Sequence, residues 1–256
     1  MIRSEYDDSS RSRLGFNLLG MALVAGCATA GPDRAAPNRP SGEGTPTHSL
    51  EDGAGATPVV HALLATETAE SSGLWSQAEP LLDSTDCQLY RTSAVGGAQG
   101  SRGWEDTKQW RLYRCSQPVL SALGDAGHVD AFVRAGGRLI EGTLAEASPR
   151  VPPSNAESVL KVSYFNNINP AARETDLVAL STDAAELEDT WVPDGRFTPT
   201  ASLGVSRPDT IDILYYQEPG QGQRFRDANP QILQRIGVFN ATHTTAATYL
   251  GGRYTP

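Results

Sequence analysis

Lysine is nearly missing from this chain: Lys108 and Lys161 are the only two, and arginine supplies the rest of the 21 basic residues against 30 acidic ones. With a net charge of −9 and no cluster of Lys and Arg, the sequence lacks the electrostatic footprint that grips phosphate backbones, so no nucleic-acid partner is expected. Histidine is as sparse. His48, His61, His128 and His243 are scattered, with neither His-x-x-x-His nor His-Glu-x-x-His spacing, which argues against a metal centre. Neither a Gly-x-Ser-x-Gly elbow nor a phosphate loop occurs, and no cofactor is expected. No apolar run reaches the roughly 20 residues a membrane-spanning helix needs. The 39% hydrophobic content is still enough to fill the core of one domain of ordinary size.

What is present begins with an export signal. Arg11 and Arg13 precede an apolar run, Leu14 to Gly26, of the length of a signal-peptide core. It ends in Val24-Ala25-Gly26-Cys27, which resembles the lipobox of bacterial lipoproteins. The resemblance covers residues 1–27 only and implies cleavage before Cys27, lipidation of that thiol with acyl chains such as palmitate, and a membrane as partner. Ala28 after the cysteine implies an outer-membrane destination within the cell envelope, facing the periplasm or the cell surface. Residues 28–58 are rich in Gly, Pro, Ala, Ser and Thr, and read as a tether with a reach of about 30 Å as a flexible coil. The folded part is expected to be a single domain over 59–256, with a division into two lobes open near 148–156.

An exported chain meets oxidising conditions, so the remaining cysteines, Cys87 and Cys115, are expected to form a disulfide. The flanking segments, Cys87 to Arg91 and Trp110 to Cys115, are β-prone. An antiparallel hairpin with the cysteines opposed sets Leu89 against Tyr113 and Tyr90 against Leu112. Residues Val95 to Gly103 then form a glycine-rich, mobile tip.

Further along, Pro118–Leu123 and His128–Ala135 read as helices, and Arg138–Leu144 and Ser158–Phe165 as strands, the second apolar on both sides of its alternation. Asn166 to Pro170 reads as a turn. Asp183-Ala184-Ala185-Glu186 has capping-box spacing at the start of a helix. Thr210–Tyr216 reads as a strand, and Asn229-Pro230 opens a helix through Arg235, with extended chain resuming at Gly237 to Phe239. Ala241–Tyr249 suits an edge strand. A strand–helix–strand pattern around Leu112–Leu144 recurs around Ile213–Phe239, which either a duplicated unit or the ordinary alternation of an α+β domain gives. The expected fold is thus α+β, a mostly antiparallel sheet with several short helices and one disulfide-stapled hairpin.

Candidate chemistry is thin. His128, with Asp125 or Asp130, and His243 are the candidate general bases. Glu186, Glu188 and Asp189, and Asp209 with Asp212, are the carboxylate clusters. Trp104, Trp110, Tyr215 and Tyr216 are candidates for an aromatic ligand face. The function these features suggest is a membrane-anchored envelope lipoprotein, non-enzymatic, binding or scaffolding an envelope protein or glycan. The alternatives are an exported hydrolase of envelope polysaccharide or peptide, and a subunit of an envelope assembly.

Overall fold

The computed structural model describes residues 59–100, 103–124, 127–146 and 151–255. The leader, Cys27 and the tether lie outside the described residues. The first half runs β1 (Val59–Glu67), α1 (Trp75–Ala78), α2 (Pro80–Asp83), β2 (Gln88–Gln99), β3 (Gln109–Cys115), α3 (Leu120–Gly124), α4 (Gly127–Arg134) and β4 (Arg138–Glu146). The second repeats that order: β5 (Glu157–Phe165), α5 (Pro170–Ala185), β6 (Val192–Leu203), β7 (Thr210–Tyr216), α6 (Gln221–Ala228), α7 (Pro230–His243) and β8 (Thr244–Tyr254). Strands within the halves are ordered β4-β1-β3-β2 and β8-β5-β7-β6. The halves join β2 to β8 and β6 to β4, so eight antiparallel strands close into a barrel.

Closure corrects the expectation of an α+β domain on a mostly antiparallel sheet with a stapled hairpin, because a closed sheet has no edge strands. The seam pairings unite residues far apart in the chain, such as Gln99 with Tyr249, and no local pattern encodes them. β5 is buried at nearly every position. One of its faces points into the barrel and the other lies under the helix layer. Leu160 and Val162 join the interior with Leu64, Trp110, Leu112, Phe197 and Leu250, while Val159 packs outside against α5 and α7. Helices α1–α4 cover Leu63, Tyr113 and Leu139 on the first half. At each seam a glycine admits the neighbouring backbone. A Cβ on Gly142 would collide with the Thr198 carbonyl, and one on Gly252 with that of Ala94.

Several local expectations change. α5 begins where a turn is expected, because Asn169 accepts a hydrogen bond from the Ala172 amide and Pro170 fits the first helical position. Asp183 to Glu186 therefore lie at its C-terminal end. α7 does not stop at Arg235, since Ile232, Ile236, Phe239 and His243 recur at helical spacing on its buried face. β8 is no edge strand but is paired on both sides. The glycine-rich stretch expected to be a mobile tip is strand as far as Gln99, bonded to β8. Cys87 and Cys115 are joined by a disulfide. Leu89 opposes Tyr113, but Tyr90 is bulged out of the ladder, so Arg91 rather than Tyr90 faces Leu112.

Candidate functional site

The aromatics taken as one ligand face do not share a surface. Trp104, Trp110 and Tyr215 are buried inside the barrel, and Tyr216, the next residue along β7, points the opposite way beneath the helices. Period-two alternation separates adjacent strand residues, and interior packing takes up the rest. His128 is exposed on α4 beside exposed Asp130, and Asp125 lies outside the described residues. His243 is buried at the end of α7, its Nε2 2.7 Å from Asp176 Oδ2 on α5. Glu186 and Glu188 are exposed, and Asp189 is held by Arg224. Asp209 accepts the Phe165 amide at an exposed turn, whereas Asp212 is buried against Arg196, so no paired acids converge. Among the described residues no group of three His, Cys, Asp or Glu gathers to hold a metal.

The structure instead draws attention to residues that sequence reasoning passed over. A cleft of about 620 Å³ opens between α7 and the seam of β2 and β8. Its wall is a stripe of α7 that includes Leu233, Gly237 and Asn240, and its floor is Ala247 and Tyr249 of β8 with Gln99 of β2 and the following Gly100. A Cβ on Gly237 would meet nothing within 4 Å, so the helix leaves space there. The lining is largely apolar with polar points. Asn240 Nδ2 donates to the Tyr249 hydroxyl at 2.6 Å, which leaves Asn240 Oδ1 without a donor. Gln99 Oε1 is likewise buried without a partner. An acceptor enclosed without a donor costs on the order of 1–3 kcal/mol, and two such acceptors on one cleft are complementary to a molecule that brings hydrogen-bond donors.

Behind the cleft a polar row crosses the apolar outer face of the second half. Strand register places Arg196 beside Asp212, Asp212 beside Lys161, Lys161 beside Tyr249 and Tyr249 beside Gln99. Arg196 Nε bonds Asp212 Oδ1 at 2.9 Å, and the Lys161 Nζ lies 5.4 Å from the Phe239 ring. Burial pulls the Lys161 amine down from 10.5 to about 8, Arg196 adding to that effect and Asp212 opposing it. Burial pushes the Tyr249 hydroxyl up, as does the charge of Asp212, against the bond from Asn240. A lysine whose folded value is lowered carries its full burial cost below about 8, and the cost disappears as pH rises toward 10.5, where the amine is neutral in both states. Lys161→Met should therefore unfold at higher temperature than the parent near neutral pH, with the advantage shrinking through this alkaline window. Melting curves of both proteins against pH check it, and a constant difference would contradict it.

A second polar group closes one end of the barrel. Arg91 donates to both oxygens of fully buried Asp194, at 2.9 and 3.1 Å, and the Tyr254 hydroxyl donates to Asp194 Oδ2 at 2.8 Å. Tyr90 is held between the guanidinium groups of Arg91 and Arg114, each 3.8 Å from its ring centre. These groups satisfy one another, which marks the cluster as a plug.

The duplicated βαββαβ order closed into one barrel is the ferredoxin-like α+β barrel fold. No protein-family profile and no curated protein sequence matches the chain. The structure is similar to that of an anthrone oxidase-like protein, with a TM-score of 0.50 and 11% identity over 78% of this chain and 95% of that one. It is also similar to a mutant chlorite dismutase from Candidatus Nitrospira defluvii, with a TM-score of 0.47 and 13% identity over 77% and 92% of the two chains. The first of these likenesses, an enzyme-like fold, corrects the reading as a non-enzymatic binding or scaffolding lipoprotein. The barrel is the fold of a protein described as oxidase-like, and sequence patterning could not reveal it because closure is non-local.

Proposed function

We propose that the protein is an enzyme that oxidises a small, largely apolar molecule bearing hydroxyl groups, held in the cleft between α7 and the β2–β8 seam. The observation that carries this is the pair of donor-seeking oxygens, Gln99 Oε1 and Asn240 Oδ1, on one mostly apolar cleft. The reaction class is taken from the anthrone oxidase-like protein that shares the fold, and the oxidant proposed for this chain is dioxygen. Binding of 2-naphthol, a hydroxylated apolar probe, followed by fluorescence, tests the cleft. The single O–H of this probe serves one acceptor at a time, so at least one of Gln99→Leu and Asn240→Leu should weaken binding about 5- to 10-fold, the worth of a hydrogen bond of about 1 kcal/mol, and neither should change binding of the methyl ether. Oxygen uptake with hydroxylated aromatics tests the chemistry. Unaltered affinity in both variants would remove the cleft from consideration.

The membrane anchor is proposed on separate grounds, namely Arg11 and Arg13, the apolar run Leu14 to Gly26, and the small residues before Cys27. It would set the enzyme at the cell envelope. Full-length protein should pellet with membranes and carry a lipid mass, and Cys27→Ala should do neither. Equal fractionation of the two forms would end this part of the proposal.

A further inference from the structure

Resting on the proposal that lipid on Cys27 holds the chain at a membrane, we propose that the barrel end around Leu89 and Val151 is a docking surface for the lipid bilayer. Strand register identifies this end. His61 faces Cys115, Gln88 faces Arg114, Ser93 faces Tyr254, and Glu157 faces both Tyr216 and Arg253. The starts of β1, β2 and β5 and the ends of β3, β7 and β8 therefore lie together. Leu63, Tyr113 and Leu89 form one row across β1, β3 and β2, about 10 Å wide, and Val59 stands about 13 Å further toward the same end. The chain enters the barrel here. A tether over 28–58 with a coil reach of about 30 Å keeps this end beside the lipid. The tilt of barrel strands such as β1, nine residues long, puts the opposite end roughly 25 Å further away.

The same end carries the chemistry a bilayer accepts. Leu89 is 51% exposed and Val151 80% exposed, and both line a mostly apolar cleft of about 410 Å³ with Pro152, Pro153 and Tyr254. A single exposed apolar side chain is ordinary, but two on one cleft form a contiguous patch. Tyr90 also lines it, stacked between the guanidinium groups of Arg91 and Arg114, and a ring with polar edges suits the headgroup layer. Behind the patch, Asp194 is bonded by Arg91 and Tyr254, so the lipid would meet a closed wall whose buried polar groups are paired. Charge does not drive the contact, since the chain carries −9 overall and exposed Asp83 and Asp86 stand just before β2.

Such a patch does not have to bind lipid tightly. A flexible tether turns docking into an intramolecular event at an effective concentration that reaches the mM range for short linkers. Burial of two partly exposed apolar side chains is then enough to favour one orientation over the others. In that orientation Gln99, at the other end of β2, is held away from the bilayer together with the cleft floor it helps to form.

The test couples the full chain through Cys27 to phosphatidylcholine vesicles that contain a maleimide-headed lipid and brominated acyl chains. Cys87 and Cys115 are joined to each other, and the coupling supplies an anchor whether or not a cell acylates Cys27. Leu89→Trp should lose emission to the bromines, read above the parent, whose Trp75, Trp104, Trp110 and Trp191 are buried. Ile168→Trp, at an 83% exposed position beyond the far end of β5, should lose none. Adding Val151→Ser to Leu89→Trp should lower the ratio of docked to free form about 5- to 10-fold, the worth of burying one such side chain. High salt should leave the quenching unchanged. Equal quenching at the two positions, or none at 89, overturns the docking surface. Shielding of position 89 from acrylamide without bromine quenching, rising with protein density on the vesicle, assigns the patch to a second copy and also overturns it. If the coupled chain docks while the cellular protein carries no lipid mass, the surface stands and the anchor reading falls.

Discussion

Asp194→Ala is expected to lower the free energy of unfolding by about 3 to 5 kcal/mol, the cost of stripping one partner from a buried ion pair. Asp194 is completely buried and receives three hydrogen bonds, two from Arg91 and one from Tyr254. Burial works against the charge of Arg91, and the bond and charge of Asp194 more than offset it. Without the carboxylate, a guanidinium only 13% exposed faces the barrel interior with the Tyr90 oxygens as its remaining acceptors. The double variant Arg91→Met/Asp194→Leu should lose much less, since it removes both charges and fills the space with apolar atoms. Urea unfolding of the three proteins decides between them. If the single variant proves no worse than the double, the plug contributes nothing through its charges.

Replacing both members of the disulfide, Cys87→Ser with Cys115→Ser, should cost about 3 to 4 kcal/mol. The bond closes a sequence separation of 28 residues, and on the chain-entropy argument the stabilisation comes mainly from restricting the unfolded chain. The loss should appear in the refolded, purified protein as a lower unfolding midpoint. The disulfide lies under the first-half helices beside Val119 and Leu120, at the opposite end of β2 from Gln99 and the cleft, so 2-naphthol affinity should stay unchanged. A midpoint equal to that of the parent would show that packing alone holds β2 to β3.

How much of this was legible beforehand varies with the range of the interaction. The cysteine pair with its β-prone flanks marks β2 and β3, and Thr210–Tyr216 marks β7, because strand propensity and alternation are local. The parallel between Leu112–Leu144 and Ile213–Phe239 corresponds to β3-α3-α4-β4 and β7-α6-α7-β8. Its second boundary is displaced because Gly237, which reads as a break, lies inside α7. Closure is invisible from the sequence, since the pairing of Gly97 with Gly251 joins strands far apart along the chain. Tyr215 and Tyr216 look like a platform only until the pleat sends them to opposite faces.

The cleft was the least legible part. Gln99 sits in a glycine-rich stretch that resembles a loop, Asn240 is one of several polar residues near the end of α7, and nothing in their spacing joins them. Lys161 did carry a signal. One of only two lysines in the chain stands in the middle of a strand apolar on both faces, and a charge placed there calls for an explanation that surface solvation cannot give.

The repeat within the barrel has a further consequence for how the chain holds together. Each four-stranded half ends in two bare strands, β2 and β4 in one case and β6 and β8 in the other, and each finds its missing partner only in the other half. A half on its own would present two rows of unsatisfied amides and carbonyls, a template for any second copy with the same edges. The linkage across residues 147–156 therefore does more than connect two similar units. It turns what would be a concentration-dependent meeting of two molecules into an event within one chain, and it lets the two faces diverge. One half has a disulfide-bound helix layer, while the cleft and the buried polar row lie on the other and reach β2 of the first only across the seam.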